Sequence, residues 1–230
     1  MTRGPTLIDA AIIAEYGSKF ESTHYAPLTK DRKELRALYR CTQDLKQQIT
    51  YCINHLENEH LLPQLVSNIW HSTKKHYEEQ LSMLHIRIME IISADNDLVL
   101  HFNNLCTVTG IGRDTAIAVL AELRRIESFS SARELAAFVG LTPKHTTSGS
   151  SVCKRSKISK IGLSTLRKAL FFPAISAMRF NEYFNEFALK LEKLGKAKKT
   201  IICAIMRKLV HVIFGILKHK EVFTAEKLRG

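Results

Sequence analysis

A chain of 230 residues that is 45% hydrophobic and 24% charged has enough apolar material for a core in one large or two small domains, which excludes disorder by composition. A formal net charge of +12 and a pI near 9.6 favour an anionic partner. The five cysteines (Cys41, Cys52, Cys106, Cys153, Cys203) form no CxxC pair and no His lies at zinc-ligand spacing, so neither a disulfide framework nor a metal knuckle is supported.

In chain order, the start MTRGPTLIDAAIIAEYG lacks a charged-then-apolar signal layout. No window of about 18 apolar residues is read anywhere, so the expectation is a soluble cytoplasmic protein with reduced thiols and no membrane partner. From Lys30 to Asn58, Leu35, Leu38, Thr42, Leu45, Ile49, Cys52 and Leu56 recur at spacings of three and four, a heptad seam. Pro63 interrupts it, because proline removes a backbone donor. Tyr77, Leu81, Leu84, Ile88 and Ile91 then form a second seam that ends near Ala94-Asp95-Asn96-Asp97. Two antiparallel helices or one broken helix satisfy this pattern, either as an intramolecular hairpin or as a coiled-coil arm for homo-oligomers. Trp70, beside the proline break, is expected to pack.

Past Asn103 the chain becomes short helices punctuated by glycine. Leu105 to Gly112, followed by Ala116, Val119 and Leu120, has the arrangement of a helix-hairpin-helix motif. Its Gly110 and Gly112 permit a tight turn whose backbone N–H groups can hold a phosphate. Ser131 and Glu134 read as a capping box for a helix over Ala132 to Val139, closed by Gly140 and Pro143. Lys144 to Ser151 reads as a loop. Leu163 to Met178 reads as a helix with a kink at Pro173. Asn181 to Leu194 and Lys198 to Lys218 read as two more, separated by Gly195, the last a core helix through Ile201, Ile202, Ile205, Leu209, Val212, Ile213 and Ile216. The fold class is mainly α: a long helical hairpin or coiled-coil linker, then a compact helical domain. The boundaries are 1–29, 30–97 and 98–230.

The chemistry concentrates where acids vanish. No Asp or Glu occurs between Glu134 and Glu182, and this stretch holds Ser148-Gly149-Ser150-Ser151 with Lys144, Lys154, Arg155, Lys157, Lys160, Arg167 and Lys168. Cations without compensating carboxylates suit a phosphodiester backbone, since each neutralised phosphate releases counterions; a merely solvated basic face is the alternative.

The run Thr109-Gly-Ile-Gly112, Leu135-Ala-Ala-Phe-Val-Gly-Leu-Thr-Pro143, Ser148-Gly149, Lys157-Ile-Ser-Lys-Ile-Gly162 and Leu166-Arg-Lys-Ala-Leu170 resembles the C-terminal domain of the DEDD serine transposases of insertion sequences, relatives of Piv-type invertases. The likeness covers roughly Leu105 to Phe180 in order and spacing. Upstream, Ile8-Asp9-Ala-Ala-Ile-Ile-Ala14-Glu-Tyr-Gly17 looks like the last segment of that family's RuvC-like domain, so residues 1–29 are expected to be its remnant.

The resemblance implies an acidic quartet that binds Mg²⁺, a serine that attacks a DNA phosphodiester to give a phosphoserine intermediate, and a structured guide RNA encoded by the element. By position the serine is Ser148, with Ser150 and Ser151 as alternatives, and Asp9 falls on the last carboxylate of the quartet. Thr6 stands where another carboxylate is expected, and the positions of the first two precede Met1. The expectation is an N-terminally truncated or decayed copy in which Asp9 is either a metal ligand or a helix cap.

A serine hydroxyl needs a base and charge stabilisation at the attacked phosphate. Lys154, Arg155, Lys157 and Lys160 supply the second, Gly149 allows close backbone approach, and His145 is a proton shuttle or an exposed loop histidine. Two functions follow: a transposase or site-specific recombinase acting through Ser148, or a non-catalytic DNA- and RNA-binding helix-hairpin-helix fragment.

Overall fold

The computed structural model describes residues 7–19, 27–123, 126–144, 147–148, 152–153, 157–158 and 161–223. Helix α1 spans Leu7–Lys19, and its residues from Asp9 onward are exposed. Helix α2, Lys30–Leu56, starts where the Thr29 hydroxyl accepts from the Arg32 backbone N–H at 3.4 Å. Helix α3, Gln64–Ser93, follows a short 3-10 turn over Glu59–Leu61. Pro63 sits just before α3, where a missing N–H costs nothing.

The two long helices form an antiparallel hairpin. Arg87 of α3 bonds Glu34 of α2 at 2.8 Å near one end, and the Tyr51 and Trp70 rings meet at 5.7 Å near the other. Leu35, Tyr39, Thr42, Cys52, Ile88 and Ile91 are buried along the seam. His55 stacks on Trp70 at 4.2 Å, so the tryptophan packs as the sequence suggested. Glu59 ties the turn to α3 by accepting from Ser67 Oγ and meeting His71 Nε2 at 2.8 Å.

Helix α4, Asn96–Cys106, is capped by Asp95, whose Oδ1 accepts from the N–H groups of Asp97 and Leu98. Helix α5, Arg113–Glu122, is buried from Ala116 to its end. Helix α6, Ala132–Val139, has Ser131 as its cap, while Glu134 reaches back to the N–H and hydroxyl of Ser130 rather than to Ser131 itself. The helix expected over Leu163 to Met178 is two: α7, Ser164–Ala169, and α8, Phe171–Phe180, joined at Leu170. Pro173 has no N–H for the Ala169 carbonyl and its ring crowds that oxygen, so the break falls three residues before the proline.

Helix α9, Glu182–Lys193, is capped by Asn181. Helix α10, Lys198–His219, runs through the core against α4, α6, α8 and α9, burying Ile201, Ile205, Leu209, Val212, Ile213 and Ile216, with Ile202 half-buried. Fully burying one such side chain contributes about 2 kcal/mol. In length and apolarity α10 would suffice to cross a bilayer, which corrects the sequence reading, but half of its most apolar window is covered by the fold.

The stretch expected to be a loop is a ribbon of short strands: β1, Pro143–Lys144; β2, Thr147–Ser148; β3, Val152–Cys153; and β4, Lys157–Ile158. Antiparallel pairing sets Pro143 opposite Ile158 and Lys144 opposite Lys157, then Thr147 opposite Cys153 and Ser148 opposite Val152. The β-branched Thr147, Val152 and Ile158 favour extended backbone.

Candidate nucleic-acid interface

The ribbon stands on a foot built by two glycines. Gly140 ends α6 with φ +79°, and Gly162, at φ +137°, precedes α7. A Cβ on Gly162 would lie 2.2 Å from the Phe138 carbonyl oxygen, and one on Gly140 would lie 2.9 Å from the Ile161 oxygen. Only backbone without side chains fits this crossing. The Leu163 N–H donates to the same Phe138 oxygen at 2.9 Å, locking the start of α7 onto the end of α6. Arg167 of α7 closes the foot by donating from Nη1 to the Val139 carbonyl at 2.9 Å, a cation at a helix C-terminus.

This geometry distributes the sequence-predicted residues unevenly. Ser148 ends β2, at the far end of the ribbon from its foot, and Lys144 and Lys157 are register partners nearer the base. His145, Ser150, Ser151, Lys154, Arg155 and Lys160 lie outside the described residues. Arg167 holds the foot together, whereas Lys168 is exposed on α7. Gly110 has φ +97°, and a Cβ there would sit 2.5 Å from the Pro173 oxygen, so it serves the packing of the α4–α5 turn onto α8. Gly112 has nothing within 4 Å of a built Cβ and begins α5 without a side-chain cap. Asp9 lies in the first turn of α1. Among the described residues there is no group of three or more His, Cys, Asp or Glu that could hold a metal ion.

Sequence reasoning missed the junction between hairpin and domain. Glu122, at the end of α5, is fully buried. Arg40 grips its carboxylate through Nε at 2.9 Å and Nη2 at 3.0 Å. Arg36 donates to the Glu122 carbonyl at 2.9 Å, and Arg32 to the Leu120 carbonyl at 3.3 Å. Arginines four residues apart on α2 thus clasp the C-terminus of α5. At its other end Lys46 meets Asp114 at 2.5 Å. Tyr39 lies in the same junction, where burial, and then the carboxylates of Glu122 and Asp114, push its hydroxyl up to about 12. The available signal was the spacing Arg32, Arg36, Arg40.

A second positive region was also missed. Burial lowers the His211 pKa, and Arg207, Lys208 and Arg133 lower it further. Lys208 lies over the rings of Phe187 at 4.4 Å and Tyr183 at 4.7 Å and donates to the Tyr183 hydroxyl.

Residues 102–189, which include α5 to α8 and the ribbon, match the family model described as Transposase IS116/IS110/IS902 family. Over 217 residues the chain is 32% identical to the pilin gene-inverting proteins of Moraxella lacunata and Moraxella bovis, an alignment covering 94% of this chain and 66% of each relative. It is 23% identical over 248 residues to the transposase for insertion sequence element IS1111A of Coxiella burnetii, covering 94% and 67%. The chain therefore spans about two thirds of the length of these relatives.

Proposed function

We propose that this chain acts in DNA recombination, as a transposase or DNA invertase of the kind named in its relatives, with Ser148 as the attacking group. The observation that carries the reading is the ribbon, which puts a hydroxyl residue at the end of a strand in an acid-free, cation-rich segment inside the matched region.

Ser148 Oγ forms a bond to the scissile phosphorus, the bond from phosphorus to one strand's oxygen breaks, and that strand leaves as a hydroxyl after taking up a proton. The product is a phosphoserine ester that the incoming strand's hydroxyl reverses. Lysines and arginines of the ribbon segment, Lys144, Lys154, Arg155, Lys157 and Lys160, bind the flanking phosphates, as does Lys168. No Asp or Glu in the stretch between Glu134 and Glu182 is available to accept the serine proton, which leaves His145 of this segment or a carboxylate from elsewhere in the assembled enzyme as the base. Mg²⁺ is not assigned to residues of this chain.

The α4–α5 turn fits a helix-hairpin-helix role through the open N-terminus of α5, and the helical hairpin, with Leu61, Leu65 and Ile69 exposed near its tip, suits pairing of copies. DNA, a structured guide RNA and a second copy of the chain are the proposed partners, in the cytoplasm.

The test is trapping of protein on labelled DNA that carries the sequences flanking the gene, under denaturing conditions. A covalent adduct with the wild type, retained in Ser150→Ala and Ser151→Ala and lost in Ser148→Ala, is expected. An adduct that survives Ser148→Ala overturns the assignment, and duplex binding without any adduct overturns catalysis by this chain.

A further inference from the structure

Two recesses on α2 are one groove. The larger, about 810 Å³, lies between α2, α5, α7 and α8; the smaller, about 400 Å³, continues toward the hairpin tip, and the two share Gln43, Lys46 and Gln47. Along its floor Gln43, Gln47, Thr50 and Asn54 recur every three or four residues, so they share one face of the helix over about 16 Å. Each end carries an exposed ring: Tyr51 is 54% exposed and Phe172 is 76% exposed. Both rings are braced from the side, Tyr51 edge-on to His55 at 4.5 Å and Phe172 edge-on to Phe171 at 5.5 Å.

The electrostatics narrow the occupant. Arg40 is bound to Glu122 and Lys46 to Asp114, and Asp44 adds a carboxylate, which leaves Lys168 as the remaining cation among the described residues of the wall. Such a wall is too close to neutral to grip two phosphate backbones, and amides and flat rings recognise bases instead. An amide offers a donor and an acceptor side by side, matching a base edge, and every base has a face that stacks on an aromatic ring. Base edges can also be reached in the grooves of a duplex, but base faces are open to stacking on an aromatic ring only where the strand is unpaired. Thr165 Oγ1, on the same wall, is buried without a hydrogen-bond partner among the described residues.

We propose that this groove holds a single-stranded stretch of nucleic acid by its bases, with Tyr51 and Phe172 as stacking platforms at its ends and Gln43, Gln47 and Asn54 reading base edges between them. The inference rests on the DNA-handling reading above for the class of partner, and adds a surface separate from the ribbon.

The experiment measures binding of short labelled single strands, in DNA and RNA versions, and of a labelled duplex to the full chain by fluorescence anisotropy. Tyr51→Ala and Phe172→Ala are each expected to weaken single-strand binding about tenfold. Phe172→Trp is expected to retain binding and Gln47→Glu to lose it, with duplex affinity changed less than about twofold and circular dichroism unchanged. Single-strand binding should also depend on salt less steeply than duplex binding. A stronger signal with RNA or with DNA identifies the strand's source. Unchanged single-strand affinity in Tyr51→Ala/Phe172→Ala overturns the proposal. Duplex binding without single-strand binding overturns it too and leaves the recombination reading standing, whereas loss of both in the wild type removes that reading as well.

Discussion

Tyr39 shows how the junction makes one side chain sensitive to pH. Its hydroxyl, raised to about 12 by burial first and by the charges of Glu122 and Asp114 after that, stays protonated in the folded chain when the unfolded chain has begun to ionise near 10. Both states are neutral below pH 10, so the contribution is fully present there. Between pH 10 and about 12 the unfolded state binds fewer protons, and stability falls by about 2–3 kcal/mol. Urea unfolding at the two ends of this window should show that loss in the wild type and a smaller loss in Tyr39→Phe; equal losses would remove Tyr39 as the cause. Arg167 carries a different lesson. Composition groups it with the phosphate-binding cations, yet its Nη1 bonds Val139, a partner 28 residues away that no local pattern reveals.

The ribbon is an element whose position depends on its foot. Gly162→Ala puts a methyl against the Phe138 oxygen at a backbone angle that side chains rarely adopt, so it should cost about 2 kcal/mol or more and weaken duplex binding with it. Gly112→Ala, with open space around the added carbon, should cost under about 1 kcal/mol. Equal losses in thermal unfolding would contradict the crossing described above. The long helices were legible in the sequence because a seam repeating every three or four residues is local information. The ribbon was not, since strands of two residues are too short to show alternation, and their pairing joins segments read separately. Pro173 was legible as a disturbance, but where the helix parts depends on the carbonyl four residues earlier.

Across the molecule, hairpin and domain are joined through Glu122, whose partner Arg40 lies 82 residues away in sequence, which is why a lone acid in an apolar run gave no warning of it. Arg36→Ala/Arg40→Ala leaves that carboxylate buried without compensation and should destabilise the junction by about 3–5 kcal/mol, with Glu122→Gln in the same background recovering much of it. Trp70, the sole tryptophan, reports on α3, so its fluorescence and the total helicity should lose coincidence during urea unfolding of the double variant. Coincident curves would mean that the junction is not the weak link. The clasp also turns the hairpin into a gauge. Helix α3 alone, at 30 residues, measures about 45 Å, and because α2 is pinned at its base the tip keeps a constant azimuth relative to α5. Inserting paired whole turns into both helices would lengthen the reach while preserving helical phase; inserting half-turns would swing whatever the tip engages to the opposite side of the molecule.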